Sequence, residues 1–150
     1  MSLAQYDLTG SADHLSFEFY SDGPQGTIKK VIQYTKLSDP WDEAYNLGFG
    51  DSLETTGKIN DLSVTNNQDR DKVLRTVASS VLHFFDRYPN AQILFQGSTP
   101  ARTRLYIGQI SKHWSEVENH VVVEGLTSQN WESFQRNGRY NALSITKKKS

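Results

Sequence analysis

Residues 15–20 alternate between apolar and polar positions in the way that half-buried strands do. Leu15, Phe17 and Phe19 are separated by single polar residues, which matches the period of two that side chains follow along a strand. Residues 21–26, Ser-Asp-Gly-Pro-Gln-Gly, are dense in turn formers. Because residues 28–37 are again rich in β-formers, the pattern predicts a hairpin.

Two further strands and a long helix are predicted next. The strands cover residues 45–49 and 59–64, with turn signals between them. The helix covers residues 69–87, with an N-cap at Asn66–Asn67 and an end at residues 88–90. Its apolar side chains recur every fourth residue, at Val73, Val77, Val81 and Phe85, and the last three of these are predicted to be buried.

Downstream, an apolar strand at residues 93–95 runs into Gly97 and then into a second helix. Thr99 is a suitable N-cap, and Pro100 suits the first helical position because its missing N–H would have no intrahelical acceptor there. The remaining predicted elements are a short strand, a short helix or loop, and a last strand, at residues 121–123, 130–137 and 140–146.

This order of elements predicts an α+β fold in a single domain that covers residues 1–150. An N-terminal antiparallel β-meander is followed by β-α-β units in a mixed sheet, which two main helices pack. Residues 147–150, which carry three lysines, are predicted to form a disordered basic tail.

Composition narrows the classes of function. The chain has no cysteine, which excludes disulfide scaffolds, thiolate catalysis and cysteine-based metal sites. Its 16 basic and 17 acidic residues create no global field that would point to nucleic acid or to a membrane. The N-terminus does not resemble a signal peptide, and no apolar run reaches the length of a membrane span. We therefore expect a cytoplasmic protein with no membrane partner.

The start of the second helix is the strongest candidate for a binding site. Arg102 and Arg104 lie in its predicted first turn, where the partial positive charge of a helix N-terminus disfavours cations, so a negative group should compensate them. Gly97 allows close approach, and Ser98 and Thr99 supply hydroxyl groups beside unpaired N–H groups. This turn is predicted to bind a phosphate or another anion.

Protein carboxylates are the alternative partners of these arginines. Asp39, Asp42 and Asp51 lie in predicted acidic loops, and pairing with them would make the turn an ordinary strand-to-helix connection. Both interpretations are open at this point.

Trp41 is the candidate for an interface. It follows Pro40 in a polar loop, so we expect it to be exposed, and an exposed tryptophan suits a protein partner or a homo-oligomer.

We expect no metal ion and no cofactor. The aspartates at positions 51, 61, 69 and 71 fall in predicted turns and at a helix start, where this residue type serves the backbone. The four histidines lack ligand-like spacing, and neither a His-Glu-x-x-His nor a Gly-x-Ser-x-Gly motif occurs.

Several segments carry a resemblance to a known family. They are Asn-Leu-Gly-Phe-Gly-Asp at 46–51, Ser-Val-Thr-Asn-Asn at 63–67 with Asp69, Lys-Val-Leu at 72–74, and Gly-Ser-Thr-Pro-Ala-Arg-Thr-Arg-Leu-Tyr at 97–106. In these blocks the chain resembles an uncharacterised family of small bacterial proteins common in the Bacteroidetes. A further basic residue is common in that family after the tyrosine, where this chain has Ile107-Gly108. The resemblance implies a domain of unknown function and assigns no catalytic residue.

The order of elements is also similar to that of ribonuclease H-like proteins. That likeness implies acidic residues on the first strand and after the fourth, which together hold two metal ions. Glu18 matches the first position, but Gln96-Gly97 follow the strand at 93–95, and the chain has one predicted strand too many. We therefore do not expect two-metal nuclease chemistry.

Two functions are compatible with these patterns. The first is a non-catalytic binding domain whose partner is a phosphate-bearing ligand or nucleic acid. The second is a small enzyme of toxin type that acts on nucleic acid or a nucleotide, with Arg102 and Arg104 stabilising negative charge. We favour the first because the sequence places no acid, base or nucleophile beside these arginines.

Overall fold

The computed structural model describes residues 5–37, 43–52, 59–60, 69–96, 100–136 and 138–148. The chain divides into two compact units. One consists of Met1–Thr35 with Gly48–Tyr88, and the other of Lys36–Leu47 with Pro89–Ser150. The interpretation as a single domain stays a prediction.

The elements alternate between strands and helices in an α+β arrangement. The strands are β1 (Thr9–Gly10), β2 (Ser16–Gly23), β3 (Gly26–Lys36), β4 (Ala44–Ser52), β5 (Ile59–Asn60), β6 (Gln92–Phe95), β7 (Val121–Leu126), β8 (Trp131–Ser133) and β9 (Ala142–Lys147). The helices are α1 (Arg70–Arg87), α2 (Pro100–Lys112) and α3 (Trp114–Val117). The sheet is mixed, as predicted, because β4 and β6 pair in parallel whereas β6 and β9 pair antiparallel.

The predicted hairpin is β2 with β3, and its turn is tighter than the sequence suggests. Pairing continues to Gly23 opposite Gly26, so the turn consists of residues 24–25 alone. Gly26 has φ +91°, in the left-handed region that favours glycine. Ser21 therefore belongs to the strand rather than to the turn, and its side chain is buried.

Helix α1 confirms the strongest sequence prediction. Val77, Val81 and Phe85 are buried, and Tyr88 is the C-cap. The start differs in detail, since Asp69 occupies the N-cap position without a side-chain capping bond. The predicted N-cap, Asn66–Asn67, lies outside the described residues.

Aromatic rings join α1 to the strands of its own unit. Tyr34 of β3 stacks on Phe84 of α1 with 4.4 Å between ring centroids, and its hydroxyl group lies 2.8 Å from Ser80 Oγ. The helix-facing core of β2 and β3 consists of residues that alternate along each strand: Phe17, Phe19, Ile32 and Tyr34.

The second unit contains the strand order β4-β6-β9-β7-β8. Residues 130–137 were predicted to form a short helix or a loop, and this prediction is wrong at Trp131–Ser133, which pair antiparallel with β7. The reason is an unrecognised turn. Thr127 N donates to Asn130 O, while Thr127 Oγ1 accepts from Asn130 N, and these bonds return the chain into a strand.

The basic C-terminal residues continue the structure further than the sequence suggests. Lys147 ends β9 opposite Val121, and Lys148 donates from its backbone N–H to His120 O and from Nζ to Glu118 O. The predicted disordered tail therefore does not include these two lysines, because strand pairing fixes the backbone there. Residues 149–150 lie outside the described part of the chain.

Among the described residues, no helix combines the length and apolarity that crossing a membrane requires.

Candidate functional site

Helix α2 begins at Pro100, as the sequence predicts. Of the predicted anion-binding residues, Gly97, Ser98 and Thr99 lie outside the described residues, and so does the side chain of Arg102. Arg104 is described and is exposed.

The orientation of α2 is set by the side chains that it buries. Thr103 and Ile107 are buried, and the ring of Tyr106 lies 5.0 Å from that of Phe95 on β6. These contacts hold one face of α2 against its sheet. Arg104 and Gly108 are on the opposite, solvent-exposed face. The helix therefore presents Arg104 outward from a fixed support.

The electrostatics of this helix start depend on which charged residues lie in its first turn. The first turn of α2 contains no acidic residue that would compensate a cation. Arg104, however, is the fifth residue of the helix, so the prediction that both arginines lie in the first turn is wrong for Arg104. Because the dipole effect decreases within one turn, its repulsion acts mainly at position 102.

The alternative partners of the arginines are only partly described. Asp39 and Asp42 lie outside the described residues, as does Trp41, so the predicted interface at this tryptophan stays a prediction. Asp51 forms a salt bridge with Lys30. Within the described ranges, Arg104 makes no salt bridge with a carboxylate.

A second polar site, which the sequence analysis did not identify, lies in the N-terminal unit. Lys30 of β3 is 1% exposed and pairs with Asp51 of β4, which is 8% exposed. A signal for this pair is present in the sequence. Ile28, Lys30 and Ile32 are two residues apart and therefore lie on the same face of the strand. The period of two thus places a cation on the apolar face.

Asp69, immediately before α1, is the centre of a hydrogen-bond network. Its Oδ2 accepts from the hydroxyl of Tyr6 at 2.6 Å and from that of Ser21 at 2.5 Å. Charge-assisted hydroxyl bonds of this length are among the stronger hydrogen bonds in proteins. The carboxylate is thereby committed to side chains from two distant segments instead of to the helix N-terminus.

The ring of Tyr6 has its own set of contacts. It stacks on Phe19 with 5.6 Å between centroids and an interplanar angle of 20°. Lys72 Nζ lies 4.1 Å from the ring centroid, within the range of a cation–π interaction. Burial and the neighbouring Asp69 raise the pKa of Tyr6 above its ordinary value.

The acidic side chains at these sites are already bound by other side chains. Asp51 is paired with Lys30, and Asp69 accepts two hydroxyl bonds. Glu18, the residue similar to a ribonuclease H-like metal ligand, pairs with Lys29 at 3.1 Å. In the part of the chain that the structure describes, no group of three or more potential ligands could hold a metal ion.

A family model described as "Family of unknown function (DUF6934)" matches residues 2–148. No curated protein and no solved structure matches the chain.

Proposed function

Because the chain belongs to DUF6934, a family of unknown function, we propose from its geometry that it is a non-catalytic binding domain that holds an anionic group where α2 begins. The observation that carries this proposal is the exposure of Arg104 on a helix whose first turn contains no acidic residue.

The backbone at this position supports an anion ligand. The first N–H groups of an α-helix have no intrahelical acceptor, and together with the helix dipole they favour a negative group. Pro100 at the first position lacks an N–H, so the donors are those of the residues that follow. Arginine at position 102 adds a guanidinium fork that matches phosphate oxygens.

The ligand class follows from these donors. A phosphate-bearing molecule, either a small ligand or a nucleic acid, offers the planar pairs of oxygens that a guanidinium group binds in bidentate fashion. Residues 98–150 hold eight Lys or Arg against four Asp or Glu, so the surrounding segment is attractive to such a ligand.

We expect Arg102→Ala to leave the melting temperature nearly unchanged, or to raise stability by about 0.3 kcal/mol, because it removes a cation from the first turn of a helix. Arg104→Ala, whose position lies beyond that turn, should leave the melting temperature nearly unchanged. Wild-type protein should be stabilised by about 1.4 kcal/mol in the presence of phosphate, sulfate or short RNA at ten times its Kd. Both variants should lose that gain. Thermal melting with and without each anion measures both effects.

Lys112→Ala is the matched control, since Lys112 lies in the last turn of the same helix, where a cation is favourable. This variant should lose a little stability and keep the response to anions. Destabilisation of both arginine variants by about 3 kcal/mol, with no response of the wild type to any anion, would show instead that the arginines pair with buried carboxylates.

A further inference from the structure

Residues 5–6 contact the N-cap and first half of α1, from Asp69 to Ser79, in the manner of a bound peptide. The side chains of residues 5–8 alternate between exposed and half-buried, with Tyr6 and Leu8 turned inward, as in an extended segment lying on a surface. The groups that receive Tyr6 form what we call the Tyr6 cradle: Phe19, the backbone of Asp22, Asp69, Lys72 and Thr76.

We propose that the Tyr6 cradle is a docking site for a tyrosine-bearing extended peptide of a partner protein, and that the chain's own residues 5–8 occupy it in the absence of that partner. This site is separate from the proposed anion site at α2 and does not depend on it.

The cradle recognises a phenol and not merely an aromatic ring. The Tyr6 hydroxyl donates its one proton to Asp69 Oδ2 at 2.6 Å and accepts from Asp22 N–H at 3.0 Å. A phenylalanine in its place would leave the Asp69 carboxylate with one hydroxyl donor fewer, that of Tyr6, and the Asp22 N–H without its acceptor. Because the bond to Asp69 is part-buried and the bond from Asp22 is exposed, water replaces some of what a phenylalanine would lose, and the site favours the phenol to a moderate degree.

Two further hydrogen bonds bind the residues next to the tyrosine ring to α1. The Tyr6 N–H donates to Thr76 Oγ1 at 2.8 Å, and Gln5 Nε2 donates to Ser79 Oγ at 3.2 Å. Both acceptors belong to α1, one turn apart. An incoming segment can make the first of these contacts with its main chain, whatever its sequence.

The occupying segment is held in a way that permits exchange. Residues 5–8 belong to no helix or strand, and among the described residues every hydrogen bond that they make involves a side chain. Segments without a main-chain ladder open at low free-energy cost. The strand ladder begins at Thr9, opposite Glu18, so strand pairing does not hold residues 5–8.

The test uses a fluorescent peptide with the sequence of residues 5–10 and measures anisotropy with the full chain. Tyr6→Ala, which removes the resident phenol, should bind this peptide. Wild-type protein should bind it at least tenfold more weakly, because its own segment competes at a high effective concentration. The same peptide with phenylalanine in place of tyrosine should bind the Tyr6→Ala protein at least tenfold more weakly.

Absence of peptide binding to a Tyr6→Ala protein with the wild-type circular dichroism spectrum would overturn the proposal, and so would equal affinity for the tyrosine and phenylalanine peptides.

If Tyr6→Ala does not fold, wild-type protein is tested with millimolar peptide. Faster amide exchange in residues 5–8 then supports displacement, and unchanged exchange contradicts it. A concentration-dependent wild-type dimer that Tyr6→Ala abolishes would assign the cradle to a second copy of the chain instead.

The pH dependence gives an independent check on the occupied state. The pKa of Tyr6 is raised from 10.0, first by burial and then by Asp69, so the segment favours the neutral phenol. Its contribution to stability is therefore present below pH 10.0 and is lost as the pH rises through the raised pKa. Besides Asp69, the charged side chain at the ring is Lys72, and Asp22 is exposed nearby on β2. Amide exchange is itself catalysed by base, so the quantity to compare is the protection factor, the intrinsic rate divided by the observed rate. In residues 5–8 it should fall through this alkaline range in wild-type protein but not in Tyr6→Phe, which has no phenol to ionise.

Discussion

Replacing Val81 by aspartate is expected to remove about 4 kcal/mol or more from the free energy of unfolding. Val81 is buried on the face of α1 that packs against the strands of its unit. An aspartate there would place a carboxylate among apolar side chains, where it has neither water nor a cation to stabilise its charge. Because domains of this size are stable by only about 5–15 kcal/mol, the loss should appear as a large fall in melting temperature or as failure to fold.

The neighbouring position supplies the control for this experiment. Leu82 is 41% exposed, so Leu82→Asp introduces the same side chain into the same helix with access to water. That variant should cost about 1 kcal/mol or less, from helix propensity and partial loss of burial. Equal losses for the two variants in urea denaturation would mean that burial of this helix face does not decide the stability of the unit.

Replacing Lys30 by methionine is expected to cost about 3–5 kcal/mol, since it leaves the Asp51 carboxylate buried without its cation. Forming and breaking a buried ion pair have effects of different size. Forming a buried ion pair brings little net stability, because desolvation of both charges offsets their attraction, whereas breaking one leaves the full desolvation cost of the remaining charge. Methionine has nearly the length of the lysine stem, so the loss reports charge more than packing.

A double variant separates these contributions. Adding Asp51→Asn to Lys30→Met removes the uncompensated charge, so the double variant should be more stable than Lys30→Met alone, as a double-mutant cycle in urea would show. Lys29→Met is the matched control, because Lys29 pairs with Glu18 at side-chain exposures of 36% and 40%. An exposed pair of this kind contributes about 1 kcal/mol at most. A Lys30→Met protein as stable as Lys29→Met would refute the importance of the buried pair.

Local patterns were sufficient for the elements whose signals lie within a few residues. The four-residue repeat from Val73 to Phe85 predicts α1, since residues at this spacing share one helix face whatever surrounds them. The start of α2 at Pro100 is also predictable from a local signal, because the missing N–H of proline is tolerated only in the first turn of a helix.

Strand pairing was harder to predict from the sequence. Trp131–Ser133 pair with β7 because the turn at Thr127 and Asn130 returns the chain, and three residues are too few to show a period. Lys147 is part of β9 because Val121 lies opposite. The charge of the lysine run suggests a tail, whereas the backbone bonds that order it come from a strand more than twenty residues away.

The candidate sites show the same division. An arginine near a helix start is visible in the sequence, because the cap residue and Pro100 mark where the helix begins. Lys30 at an inward-facing strand position is visible too, because it follows from the period of two. The Tyr6 cradle joins positions 6, 22 and 69, which no spacing rule connects. Only the tertiary fold brings a phenol, a backbone N–H and a carboxylate within hydrogen-bond distance.

The sequence by itself determined which faces are apolar and where helices begin, because those depend on neighbours along the chain. The tertiary structure decided which distant polar groups satisfy one another, because burial removes water and requires each of them to find a partner.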